Sequence, residues 1–86
     1  MNKFQEMQAF TAVVDNGSFV AAADALKASK AAVSRQVADL EQRLGTRLLN
    51  RTTRKLSLTD EGQLFYIRCT DLLYGLAEAE SELSQR

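Results

Sequence analysis

Histidine is absent from the 86 residues, and Cys69 is the only thiol. Without an imidazole, Cys/His zinc sites, Cys-His dyads and Ser-His-Asp triads cannot be assembled within the chain, which removes most hydrolytic chemistry. One cysteine makes no intrachain disulfide, so no bridge holds the fold and a reducing compartment, the cytoplasm, is expected. Long hydrophobic runs are missing too. Stretches such as Phe19 to Ala23 fall far short of the roughly 20 apolar residues of a bilayer span, and Glu6 interrupts any signal-peptide core. There is no internal repeat, low-complexity tract or linker. At 45% apolar and 26% charged residues the chain reads as one ordinary soluble domain. A domain this short buries only about 60% of its unfolded surface, so a partner chain is expected.

Eleven cations balance eleven anions, yet they are not evenly spread. Residues 1–26 carry a net charge of minus 2 and residues 56–86 minus 4. Residues 27–55 hold Lys27, Lys30, Arg35, Arg43, Arg47, Arg51, Arg54 and Lys55 against Asp39 and Glu41, a net of plus 6. Such a block is either a solvated face or the footprint of a polyanion. Composition leaves both open.

Asn2 caps a first helix, with Gln5 in a capping-box-like position and Phe4, Met7, Phe10 and Val14 at helical spacing. Asn16-Gly17 ends it, and Ser18 caps a short second helix with Phe19, Ala22, Ala23 and Leu26 facing inward. After Lys27-Ala28, Ser29 caps a third helix whose apolar stripe is Val33, Val37, Leu40 and Leu44, up to Gly45. Helices joined by so short a turn cross steeply, as in a helix-turn-helix. Opposite the stripe lie Ala31, Arg35, Ala38 and Gln42, flanked by Lys30 and Ser34. The two alanines let the backbone approach a surface closely.

Leu48, Leu49, Leu56 and Leu58 fall in two stretches too brief for helices, separated by residues 50–55, which predicts a two-stranded hairpin with cations at its tip. Thr59 caps a last helix, with Asp60 and Glu61 complementing the dipole of its first turn. Along it Phe65, Cys69, Leu72, Leu76, Ala79 and Leu83 follow a heptad seam. From Asp60 to Ser84 this helix is roughly 37 Å long, so its far half needs another chain.

Each candidate residue also has a plainer role. Lys30 and Arg35 are solvated cations if they do not face a groove; Ser34 bonds back to a carbonyl if it does not. Arg51, Arg54 and Lys55 either contact DNA or guard a strand edge. Arg47 is read as a phosphate contact without base preference. Cys69 is read as a small buried hydrophobe, and Tyr66 and Tyr74 as interface or surface aromatics.

Taken together, the sequence resembles the N-terminal winged helix-turn-helix domain of LysR-type transcriptional regulators. Phe10-Thr11-Ala12-Val13-Val14, Gly17-Ser18-Phe19 with Ala22-Ala23, Ala32-Val33-Ser34-Arg35-Gln36-Val37 into Leu40-Glu41, and Leu44-Gly45 with Leu48 carry the likeness. It continues through Arg51-Thr52-Thr53-Arg54 and Leu58-Thr59-Asp60-Glu61-Gly62 and spans essentially the whole chain. The resemblance implies a bacterial regulator of double-stranded DNA that forms a homodimer through its last helix. It implies a major-groove reader over Ser29 to Leu44 and a wing arginine, Arg54, near the minor groove. Family members continue into a ligand-sensing domain of the periplasmic-binding-protein type, where a small-molecule effector would act; this chain is expected to stop before it. At the start of the third helix the family often has Gln followed by Pro or Ser, whereas Lys30-Ala31 stands here, and Ala28 replaces a larger apolar residue. Lys30 reaches either guanine or a phosphate.

The expected fold is therefore mainly α: a winged helix-turn-helix over 1–58, with three helices and a two-stranded wing, and a dimerisation helix over 59–86. The expected function is sequence-specific DNA binding in the cytoplasm, at the nucleoid, with no catalysis, cofactor or metal. Expected groove contacts are Ser29, Lys30, Ala31, Ser34, Arg35 and Ala38. Expected wing contacts are Arg51, Thr52, Thr53, Arg54 and Lys55, and the expected dimer seam is Phe65, Cys69, Leu72, Leu76, Ala79 and Leu83. Two other classes compete: a protein-interaction module built on the heptad helix, which salt-dependent DNA binding separates from the first, and a thiol enzyme using Cys69.

Overall fold

Every helix here begins where a side-chain oxygen takes over the orphan amides of its first turn. The computed structural model describes residues 2–51 and 55–84. It runs α1 (Lys3–Asn16), α2 (Phe19–Leu26), α3 (Lys30–Leu44), β1 (Leu49–Asn50), β2 (Ser57–Leu58) and α4 (Asp60–Ser84). Asn2 Oδ1 accepts from the amides of Phe4 and Gln5 at 2.8 and 3.3 Å. The Ser18 and Ser29 hydroxyls accept from the amides of Ala21 and Ala32, each at 3.0 Å. Gly17 and Gly45 close α1 and α3 at φ of 78° and 65°. Lys27 closes α2 at φ 55°, a left-handed conformation disfavoured for a residue with a Cβ and unannounced by any glycine in the turn.

The first three helices pack on one another, and α1 also receives α4. Phe10, Val13, Ala22, Val33, Val37, Leu40, Leu48, Leu49 and Cys69 form the sealed centre. The stripes read from the sequence therefore hold in the middle and fail at the ends. Phe4, Leu26 and Leu44 are exposed and Val14 only half-buried, while Val13, left out of the α1 stripe, is fully enclosed. Terminal turns overhang the small head, where there is no neighbour to cover them. The hairpin is antiparallel, Leu49 opposite Leu58 and Asn50 opposite Ser57. Leu49 is buried, and Leu56 and Leu58 pack against the core.

The first turn of α4 is pinned to the chain just before β1. The Thr59 hydroxyl donates to the Arg47 carbonyl at 2.7 Å and accepts from the Gly62 amide at 2.9 Å, and the Thr59 amide donates to the Leu48 carbonyl at 3.0 Å. A Cβ on Gly62 would lie 2.0 Å from the Leu48 carbonyl oxygen. Only a residue without one permits this approach. Gly62→Ala is therefore expected to destabilise the protein, although alanine is the better helix former by about 1 kcal/mol. Urea denaturation checks this; an unchanged or raised midpoint would mean that α4 does not lie so close.

Candidate nucleic-acid interface

Two of the arginines in the basic block turn inward, and a third reaches an internal carboxylate from the surface. Arg43 grips Glu6 on α1, its Nη2 and Nε donating to one carboxylate oxygen at 2.7 and 3.2 Å. The Glu6 side chain is only 3% exposed. Arg51 donates to Glu41 Oε1 at 2.9 Å while its guanidinium lies over the Phe19 ring, 5.7 Å from the centroid. Arg47 reaches the same oxygen at 3.5 Å. Arg51, expected at the DNA face of the wing, thus has an internal duty first, because a buried carboxylate must be matched by charge. Arg47 is a weaker case, mostly exposed and at the edge of hydrogen-bond distance.

Glu41 is the hub of this arrangement. Its other oxygen accepts from the amides of Leu48 and Leu49 at 2.7 and 3.1 Å. One carboxylate on the last turns of α3 thereby holds the start of β1 and the root of the wing. Burial pushes its pKa upward, but the Leu48 and Leu49 amides and the Arg51 guanidinium outweigh this and leave it below the ordinary 4.5. Both acidic anchors had a signal in the sequence. Glu6 lies four residues before Phe10 and Glu41 four after Val37, so each stands over a core residue on the inward face of its helix.

The outward face of α3 is as expected: Lys30, Ala31, Arg35, Ala38 and Gln42 are exposed. Ser34 is half-buried, and the Ser29 hydroxyl is engaged as the cap. Lys30 shares an open cleft of about 370 Å³ with Gly17, Ser18, Phe19 and Val20 at the start of α2 and with Asn50, Arg51 and Leu56 at the wing root. The head of α3 and the wing therefore border one concavity. Asn50 crosses the hairpin, its Nδ2 donating to the Ser57 hydroxyl at 3.2 Å and the Leu58 carbonyl at 3.4 Å. Lys55 is exposed. Thr52, Thr53 and Arg54, expected at the wing tip, lie outside the described residues.

The heptad seam divides. Cys69 is 0% exposed within this single chain and belongs to its core, so it cannot meet a second copy across a seam, a correction to its assignment. Burial pushes its thiol up to about 11, which keeps it protonated and unreactive. Phe65 is half-buried, its ring 6.0 Å from that of Phe10. Beyond them Leu72 and Leu83 are 59% and 71% exposed, and Leu76 and Ala79 are uncovered too. Heptad spacing reports an apolar seam but not whose side chains fill it. Tyr66, read as a surface or interface aromatic, packs edge-on to Phe10 and donates its hydroxyl to Asp15 of α1. Among the described residues no cluster suits a metal ion, and no helix is long and apolar enough to cross a membrane.

Because the folded-state pKa of Glu41 is lowered, its contribution is present above the unfolded value of 4.5 and is lost as pH falls through the folded one. Glu41→Gln is expected to cost about 1–3 kcal/mol at neutral pH, since its amide group cannot satisfy two backbone donors and two arginines. It is also expected to flatten the acid limb of stability below pH 4.5. Urea titrations at neutral and acid pH check both; equal acid losses in variant and wild type would remove Glu41 as their source.

Comparison with known proteins agrees with this geometry. The sequence pattern described as "Bacterial regulatory helix-turn-helix protein, lysR family" matches residues 4–63. The HTH-type transcriptional repressor PA14_22550 of Pseudomonas aeruginosa is 53% identical over 83 residues, 96% of this chain and 26% of that protein. CrgA of Neisseria meningitidis is 48% identical over 79 residues, 92% of this chain and 26% of that protein. The chain spans about a quarter of the length of these curated relatives. Among solved structures, a BenM_DBD/catB site 1 DNA complex superimposes with a TM-score of 0.92 at 34% identity, covering 98% of this chain and 94% of that one. The structure of CrgA gives 0.80 at 47% identity, covering 96% and 28%. The relatives are transcriptional regulators, not enzymes. The chain belongs to the LysR family of bacterial regulatory helix-turn-helix proteins.

Proposed function

We propose that this chain binds double-stranded DNA as a homodimer. Residues 1–58 form a winged head that reads the duplex, and residues 59–86 form the helix that pairs two heads. Support comes above all from α3. Its outward face offers two alanines beside Arg35 and Lys30, and it borders the cleft it shares with the wing root. A helix with small side chains at its front enters a major groove closely enough for Arg35, Ser34 and Lys30 to reach base edges or phosphates. Two arginines of the same block, Arg43 and Arg51, are withdrawn into ion pairs, so the cations that remain on the outward face of α3 are selectively placed. The neighbouring BenM_DBD structure holds DNA, as does that of DarR from Vibrio fischeri, with a TM-score of 0.88 at 27% identity. The wing, with Lys55, lies beside the phosphates or the minor groove. A small-molecule effector would act through a further domain of the kind for which the longer relatives have room, and the setting is the cytoplasm, at the nucleoid.

The dimer follows from the exposed part of the seam. Leu72 and Leu76 lie equally far from position 74. Two copies of α4 running antiparallel about that point set Leu72 of one against Leu76 of the other. The seam is its own complement, as a two-fold interface requires.

Arg35→Ala is expected to lower affinity for a duplex selected from a random pool by about tenfold or more, and to lower affinity for unselected duplex less. Anisotropy titrations over a salt series check this. Equal losses on both duplexes would reduce Arg35 to a general phosphate contact, and binding insensitive to salt would favour the protein-interaction module. Leu76→Asp is expected to give a folded monomer, because position 76 is uncovered in the single chain while a carboxylate buried between two chains costs several kcal/mol. Sedimentation shows the outcome; a wild type that stays monomeric at high micromolar concentration would remove the dimer.

A further inference from the structure

A polar contact joins α4 to α1 at the surface of the head. Tyr66 donates its hydroxyl to Asp15 Oδ1, linking residues 51 positions apart. Asp15 is exposed, and it lies in the last turn of α1, which carries no basic residue. There a carboxylate opposes the helix dipole, so local helix stability does not explain its position. Tyr66 is half-buried, its ring against Phe10. α4 also packs on the core through the apolar Phe65, Cys69 and Leu73. Apolar packing is non-directional, whereas a hydrogen bond fixes an angle.

We propose that the Tyr66–Asp15 hydrogen bond is a positioning contact that sets the angle between α4 and the head, and thereby the half-site spacing that a dimer accepts on DNA; this rests on α4 being the dimerisation helix. The lever is long. From Gly62, pinned against the Leu48 carbonyl, to Leu83 is about 32 Å at 1.5 Å per residue. A swing of about 5° about that pin moves the far end by about 3 Å, close to the 3.4 Å between successive nucleotides of a strand. Two heads on one such pair of helices double the displacement. Phe10 and Cys69 hold α4 down, and Tyr66 with Asp15 holds it from turning across α1.

The test uses Tyr66→Phe, which keeps the ring on Phe10, Asp15→Asn, and the double variant. Duplexes carry two copies of a half-site selected by the wild type, with their separation stepped one base pair at a time, and a control duplex carries one copy. Wild type is expected to show one optimal spacing. Each variant is expected to lose preference for that spacing over its neighbours by about threefold or more, keep its single-half-site affinity within about twofold, and add little in the double variant, as one shared contact requires. Thermal melts confirm that the variants are folded. Profiles that superimpose on wild type overturn the proposal, and so does an affinity loss equal at every spacing, which marks a structural role. A wild type without any optimum, or monomeric by sedimentation, overturns the dimeric reading itself and with it this inference.

Discussion

The interface depends on one buried carboxylate. Glu41 projects from the last turns of α3 and accepts from two backbone amides at the root of the wing and from the two arginines, Arg47 and Arg51, that flank them in the chain. Remove it and Leu48 and Leu49 keep two enclosed donors without a partner, while Arg51 loses the charge that holds it over Phe19. Helix, turn, strand and the flank of α2 thus meet at a single ion. Among the described residues the wing pairs at two positions, and so short a ladder has little stability of its own. Its orientation relative to α3 is set by this anchor and by the burial of Leu49 more than by its own ladder.

Charge was the feature least legible in sequence. A net of plus 6 over residues 27–55 suggested a continuous cationic surface, yet Arg43 and Arg51 are matched with carboxylates that lie largely inside the head. The signal for this was periodicity, not charge: a glutamate four residues from a core aromatic or valine occupies the buried side of its helix and draws an arginine to it. Once those pairs are subtracted, Lys30 and Arg35 stand out on α3. The subtraction sharpens the case for a positioned surface over a diffuse polyanion footprint.

Helix limits were legible because they are written in single residues: Asn2, Ser18, Ser29 and Thr59 cap as their side chains require, and Gly17 and Gly45 close two helices in the left-handed region. The turn between α2 and α3 was placed correctly but without its strain, since Lys27 takes a conformation that no residue type announces. The heptad of α4 was seen, but its split between an internal half around Cys69 and an uncovered half beyond Leu72 was not. Spacing defines a stripe, and only the size of the head decides where that stripe leaves its own core. Contacts between distant segments, such as Tyr66 with Asp15, leave no local trace at all.

That split gives α4 two mechanical roles in one element. Its first turns are integral to the head, pinned at Thr59 and Gly62 and sealed at Cys69. Its later turns extend past the head, where the molecule reaches 48 Å in its longest dimension against 25 and 23 Å across. An unbroken helix is stiff over this length, so no flexible joint separates the part that packs from the part that protrudes. Whatever the exposed Leu72, Leu76 and Leu83 meet is therefore held at an angle decided where α4 joins the head, by the packing on Phe10 and Leu48 and by the Tyr66–Asp15 contact. In the proposed dimer, pairing geometry and head geometry are one rigid quantity. A substitution at that junction, away from the α3 face, is then able to alter how two copies are disposed without touching the residues that read DNA.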